Sequence, residues 1–215
     1  MRWELVIFDC DGVLVDSEPI SNSTLTRMLG ELGLPMTVER SFELFLGKSM
    51  SSIFEIIEPM LGRPVPDGFV AEYYARMDAA FKTDLKPTPG ISRVLNWLDG
   101  VPVEKCVASS GPHRKMQTTL GVTGLLHRFD GRIFSATEVA RGKPHPDLFL
   151  YAADKMNVPV EKCVVIEDAV PGVTGAVAAG MRVFGYARVT PAAALTEAGA
   201  VTFDDMAELP ALLAG

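Results

Sequence analysis

The stretch Val6-Ile7-Phe8-Asp9-Cys10-Asp11-Gly12-Val13-Leu14-Val15-Asp16-Ser17-Glu18 decides how the rest of the chain is read. Its β-branched and aromatic opening breaks at a carboxylate and is followed by a glycine, the pattern of a buried strand that ends in a turn. Asp9 and Asp11 stand two positions apart, so both side chains leave the strand end on one side, while Gly12 lets the backbone turn beneath them. Two carboxylates this close repel. They are tolerated together when one keeps a proton or a divalent cation sits between them.

The same grammar recurs downstream. A run over 103–108, apolar apart from Glu104 and Lys105, stops at Ser109-Ser110-Gly111, another over 163–166 stops at Glu167-Asp168, and a third short run covers 181–184. Between these runs lie helical patterns at 91–98, 113–120, 146–156 and 173–179, the last closed by Gly180. Alternating strand and helix predicts an α/β domain, a parallel sheet with right-handed crossovers. From about 18 to 86 the alternation stops. Leu25, Met28, Leu29 and Leu32 form one helical stripe, residues 42–46 a second, Ile53, Ile56, Ile57 and Met60 a third, and residues 69–81 a fourth. An all-helical insertion at 18–86 is therefore expected, leaving residues 1–17 and 87–215 for the sheet domain and rejoining it through a proline-bearing link at 84–90.

Composition narrows the function. With 215 residues, 48% hydrophobic and 22% charged, the chain suits one large domain with an insertion. Twenty basic against 27 acidic side chains give a net charge of −7, which argues against a broad nucleic-acid surface or a polybasic membrane anchor. No apolar run is long enough for a membrane helix or a signal-peptide core, so a cytoplasmic protein is expected. Cys10, Cys106 and Cys163 are odd in number and unpaired in spacing, which reads as free core thiols.

Ligands of open α/β sheets bind beyond the carboxyl ends of the strands. Read together, those ends carry Asp9, Asp11, Ser109, Ser110, Glu167 and Asp168, with Lys143 in the loop at 141–144. Any one of them alone is an ordinary turn or capping residue; their convergence on one sheet edge points to chemistry. Oxygen donors favour magnesium, since zinc wants His or Cys ligands and His113, His127 and His145 are not clustered. Carboxylates, hydroxyls and one ammonium around a cation suit phosphoryl transfer, with Asp9 as nucleophile and Asp11 as general acid and base. Lys143, Ser109, Ser110 and the amides opening the helix near 113 would hold the phosphate.

These residues, with the run Lys143-Pro144-His145-Pro146-Asp147, resemble the haloacid dehalogenase superfamily, specifically its phosphatases and phosphomutases with a helical cap after the first strand. The resemblance covers essentially the whole chain and implies a Rossmann-like parallel sheet under that cap. It implies that Asp9 takes the phosphoryl group as an aspartyl-phosphate and that Asp11 protonates the leaving oxygen and then activates water. It further implies that Asp9, the Asp11 carbonyl and Asp168 hold magnesium, with Glu167 near the metal either as a further ligand or as a support to the ligands. The segments 110–117 and 154–158 are most similar to bacterial sugar phosphatases acting on 6-phosphogluconate. The expected partner is a small phosphate ester, with no nucleic acid or membrane, for a monomer or weak homo-oligomer.

Alternatives are weaker. Dehalogenases of the superfamily lack the second aspartate and magnesium, whereas Asp11 and Glu167-Asp168 are present. Gly47-Lys48-Ser49 invites a phosphate-loop reading, but Phe42 stands where its first glycine belongs and the surroundings are helical. In the resembled family this turn matches a substrate-specificity loop, which makes Gly47 and Lys48 candidate substrate contacts; Arg141 is either a surface charge or a second anion contact. Cys10 reads as a small core filler. In the β-phosphoglucomutase branch a cap His and a cap Arg serve the second phosphate, and the matching positions here are Ser21 and Met50, which favours a hydrolase over a mutase.

Overall fold

The computed structural model describes residues 2–45, 48 and 50–215. Strand β1 (Leu5–Phe8) is buried along its length, as an apolar run without alternation requires when both faces are covered. A tight turn follows. The amides of Leu14 and Val15 both donate to the Cys10 carbonyl, that of Gly12 donates to Val15, and Gly12 takes a φ of +78°, a left-handed conformation open to glycine at little cost.

The chain divides into two compact units, Ser17–Leu85 and the combination of Met1–Asp16 with Lys86–Gly215. The first holds α1 (Glu18–Glu31), α2 (Val38–Phe45), α3 (Met50–Leu61) and α4 (Phe69–Asp84). Helix α1 packs against α2 and α4, burying Leu25, Met28 and Leu29, while α4 buries Phe69, Tyr73, Met77 and Phe81. A buried polar pin adds direction to this packing: Asn22 donates to the Val38 carbonyl (3.0 Å) and accepts from the Ser41 hydroxyl (2.7 Å), so α2 is held to α1 by satisfied hydrogen bonds. On α3 only Ile53 and Ile57 are buried. Met60, expected on the same stripe, is 51% exposed, because the last turn of this helix extends past its buried positions.

The second unit continues from β1 through α5 (Ile91–Leu98), β2 (Glu104–Ser109), α6 (His113–Val122), β3 (Ile133–Ser135), α7 (Asp147–Lys155), β4 (Cys163–Glu167), α8 (Val170–Ala178), β5 (Arg182–Tyr186), α9 (Ala192–Glu197), β6 (Val201–Phe203) and α10 (Leu209–Ala214). All six strands are parallel in the order β3-β2-β1-β4-β5-β6. The four strands anticipated from apolar runs are the central four; β3 and β6, three residues each, form the edges. Leu5 and Ile7 join Cys106, Cys163, Val165 and the buried faces of α7 and α8 in one core. Val6 and Phe8 fall on the other face by strand parity, where the Phe8 ring meets Phe129 edge-on at 6.2 Å. The two chain crossings run side by side within this unit: Val15 bridges to Pro87, Asp16 donates its amide to Lys86, and Arg188 grips the Asp16 carboxylate at 2.8 and 3.0 Å. Among the described residues no helix is long and apolar enough to cross a membrane.

Candidate active site

Register places the first carboxylate. Phe8 lies opposite Val107 on one side and Ile166 on the other, so the next residue, Asp9, emerges beside Glu167 with its amide donating to the Ile166 carbonyl (2.9 Å). The chain leaves β1 toward β2 on one side and reaches β4 on the other, and the crevice between such oppositely directed crossovers is where open α/β sheets bind ligands.

Lys143 arrives from the loop before α7. Its Nζ donates to Asp9 Oδ1 (2.5 Å) and Glu167 Oε1 (2.6 Å) and sits 5.2 Å from the centre of the Phe149 ring; its side chain is 5% exposed. Burial alone would drive this ammonium toward neutrality, but the two carboxylates hold its pKa above the ordinary lysine range. At Asp9 burial dominates: it pushes the carboxyl up to about 7 against the pull of Lys143, with Glu167 and Asp11 adding repulsion. Glu167 has both oxygens engaged, since Oε2 accepts from the amides of Asp168 (2.9 Å) and Ala169 (3.1 Å).

Helix α8 makes room for this arrangement. A Cβ on Gly172 would fall 1.8 Å from Glu167 Oε1, and one on Gly175 would fall 2.9 Å from the His145 carbonyl. The glycines let the helix approach both the Glu167 carboxylate and the loop that carries Lys143. Gly12 does the same for Asp168, whose Oδ2 lies 1.9 Å from where a Cβ would stand.

Asp9, Glu167 and Asp168 each offer one oxygen within 4.8 Å of the others. Donors of carboxylate oxygen only, gathered at a partly buried sheet edge, fit a hard divalent cation and not zinc. The thiol of Cys10 does not join them: it is buried, 3.8 Å from the Thr119 hydroxyl, and burial pushes its pKa well up, as suits a core filler.

The other expected residues separate into groups. Asp11 Oδ2 pairs with Lys115 Nζ at 2.7 Å, so its carboxylate does not belong to the acidic cluster. Ser109 is buried and its hydroxyl accepts from the Gly111 amide (3.1 Å), while Ser135 donates to the Gly111 carbonyl (2.8 Å) and pins the loop from β3. Ser110 is exposed at the bend that follows. Arg141 forks onto Asp147 at 3.0 and 3.2 Å, an exposed pair that accounts for its charge. Lys48 is exposed and, with Ser21, Met50 and Tyr73, lines a cavity of about 430 Å³ inside the helical unit. Gly47 lies outside the described residues.

Reading the sequence did not single out Lys115, Gly172 or Gly175. Lys115 had a signal, since His113-Arg114-Lys115 puts positive charge in the first turn of α6, against the helix dipole. Gly172 also had one: it sits in the first turns of a helix that opens directly after two carboxylates.

Comparison with known proteins agrees with this geometry. Residues 6–186 match a family described as haloacid dehalogenase-like hydrolases. A 6-phosphogluconate phosphatase of Escherichia coli is 34% identical over 98% of this chain and 95% of its own length, and a phosphorylated carbohydrates phosphatase of Thermotoga maritima is 30% identical over 92% of each. Among solved structures, a HAD family hydrolase of Deinococcus radiodurans with bound phosphate and sodium superposes with a TM-score of 0.87 at 31% identity, covering 99% of this chain and 96% of that one.

Proposed function

Given that the chain belongs to the haloacid dehalogenase-like hydrolase family and is a phosphoric monoester hydrolase, we propose that it hydrolyses small phosphorylated sugars or sugar acids, 6-phosphogluconate first among them, through an aspartyl-phosphate on Asp9. One observation carries the reading: a buried lysine bridges Asp9 and Glu167 where β1 and β4 end together. In the first half-reaction an Asp9 carboxylate oxygen attacks phosphorus, the bond to the leaving oxygen breaks, and that oxygen takes a proton from Asp11. In the second, Asp11 accepts a proton from the water that attacks the acyl phosphate, returning Asp9 and releasing inorganic phosphate.

Lys143 neutralises charge on the transferring oxygens in both steps, and Ser109, Ser110 and the amides of their turn receive the rest. Magnesium, when bound, would be held by Asp9, the Asp11 carbonyl and Asp168, and would supply charge neutralisation to the phosphate. Glu167, engaged at both oxygens, orients Lys143 and the 167–169 turn.

In this reading the helical unit is the cap that selects substrates in the cytoplasm, and Lys48 meets the substrate carboxylate. Its place on a cavity inside that unit supports the assignment. The mutase alternative is disfavoured by Ser21 and Met50, because the Ser21 hydroxyl donates to the Ser17 carbonyl (2.9 Å) and neither side chain brings a cation for a second phosphate.

Phosphate release from a panel of sugar phosphates, with and without magnesium, tests the proposal. Release that depends on magnesium and Asp9 is expected. Full turnover in excess chelator, or glucose 6-phosphate formed from β-glucose 1-phosphate plus a trace of bisphosphate without matching phosphate release, overturns it.

A further inference from the structure

Among the described residues, the only hydrogen-bond partner of the Asp11 carboxylate is the Lys115 ammonium, 104 residues further along the chain. Oδ2 receives it at 2.7 Å, and Oδ1 is buried without a partner. An acid–base carboxylate works through orientation, and one held by a single contact takes its orientation from that contact. Lys115 also lies where a cation is disfavoured, in the first turn of α6, whose positive dipole end opposes it. Its placement is offset by the anion it grips. The lysine stem runs close over Gly111, where a Cβ would stand 3.3 Å from the Lys115 Cδ and 3.5 Å from the Ser109 Oγ. The lysine stem thus passes over the loop that opens the helix and delivers its charge to the turn after β1. Both side chains are about three-quarters covered, at 25% and 27% exposure, so their attraction is only partly screened.

We propose that Lys115 is a positioning residue for Asp11. It fixes the carboxylate in the rotamer that faces the leaving oxygen, and it meets the negative charge that appears on Asp11 as its proton passes to that oxygen and the phosphorus–oxygen bond breaks. This role rests on the acid–base assignment of Asp11 made above. It differs from that of Lys143: Lys143 serves the phosphoryl oxygens, whereas Lys115 serves the departure of the alcohol.

Leaving groups separate this role from simple structural support. p-Nitrophenolate departs without a proton, whereas a sugar alkoxide needs one, and general acid catalysis is worth about 10²–10⁴-fold. The value of kcat/KM reports only steps up to the first irreversible one, here alcohol departure. Lys115→Met is therefore expected to lower kcat/KM for glucose 6-phosphate by about 10–100-fold more than for p-nitrophenyl phosphate, and Lys115→Arg to recover most of the difference. Equal losses on the two esters, or no loss on either, overturn the inference. If Lys115→Met does not fold, the Lys115→Arg and Lys115→Gln pair is read by the same ratio, and an equal ratio in both overturns it likewise. If the unaltered protein releases phosphate from no monoester, the underlying phosphatase reading falls and this inference with it, an outcome distinct from the others.

Discussion

Lys143 is one side chain with two buried carboxylate partners, so its removal does more than delete a charge. Lys143→Ala leaves Asp9 and Glu167 facing each other in a site where both are nearly covered, and breaking a buried pair in this way costs about 3–5 kcal/mol. Urea unfolding in the absence of divalent cations should show that loss, and kcat should fall on the order of 10²-fold or more, as for removal of an oxyanion donor; a variant as stable and active as its parent contradicts the pairing. Gly172→Ala sets local propensity against the site. Alanine is favoured in a helix by about 1 kcal/mol, yet the new methyl would fall on Glu167 Oε1. The expected result is kcat lowered at least about 10-fold, since small displacements of catalytic geometry are costly, with little gain in melting temperature. Unchanged kcat would show that Glu167 shifts harmlessly. Asp9, Lys143, Glu167 and Asp168 were legible because each stands where an apolar run or a loop beside one stops. The role of Lys115 was not, because it depends on the fold carrying a helix start back over a turn more than a hundred residues earlier.

The elements legible in the sequence were those long enough to carry a period. Helix α5 was read to its residue limits, and the four central strands were found because burial on both faces gives each an apolar stretch, broken by charge at the start of β2 (Glu104, Lys105) and β5 (Arg182). β3 and β6 escaped because three residues are too few to carry a period. What fixes β3 is side-chain bonding. Glu138 Oε2 accepts from the Ser135 amide (2.7 Å) and lies 2.8 Å from His113 Nε2, and its Oε1 accepts from the Tyr151 hydroxyl (3.0 Å), tying the strand end to α6 and α7. Glu138→Ala should therefore lower unfolding free energy by about 1–2 kcal/mol, the range for loss of a cap. Burial pushes the Glu138 carboxyl up, but the Ser135 amide, His113 and Tyr151 outweigh it and hold its pKa below the usual glutamate value of 4.5. With the folded pKa lowered, the stabilisation is present above 4.5 and is lost as pH falls through the folded value. The gap between variant and parent should accordingly narrow in acid; a gap that widens there contradicts the assignment.

At the scale of the whole molecule, the acidic cluster joins residues far apart in the sequence, Asp9 with Glu167 and Asp168. Any cation it holds binds the folded state alone. Magnesium at about 100 times its dissociation constant should add roughly 2.7 kcal/mol of stability, read as a rise in melting temperature that chelator reverses and that Asp168→Asn reduces. An identical melting temperature with and without magnesium contradicts the cluster as a cation site. The position of β1 in the middle of the sheet bears also on how the protein is made. Its neighbours begin at Glu104 and Cys163, so on a ribosome adding about 5–20 residues per second the first strand waits about 5–20 s for one partner and about 8–30 s for the other. During that wait the nascent chain carries an unpaired apolar segment, while the helices of 17–85, whose contacts lie close together in sequence, have all emerged before the first partner strand. Crowded or slowed translation would leave that segment open to the same strand of a neighbouring nascent chain, and holding it apart falls to whatever chaperone meets the chain first.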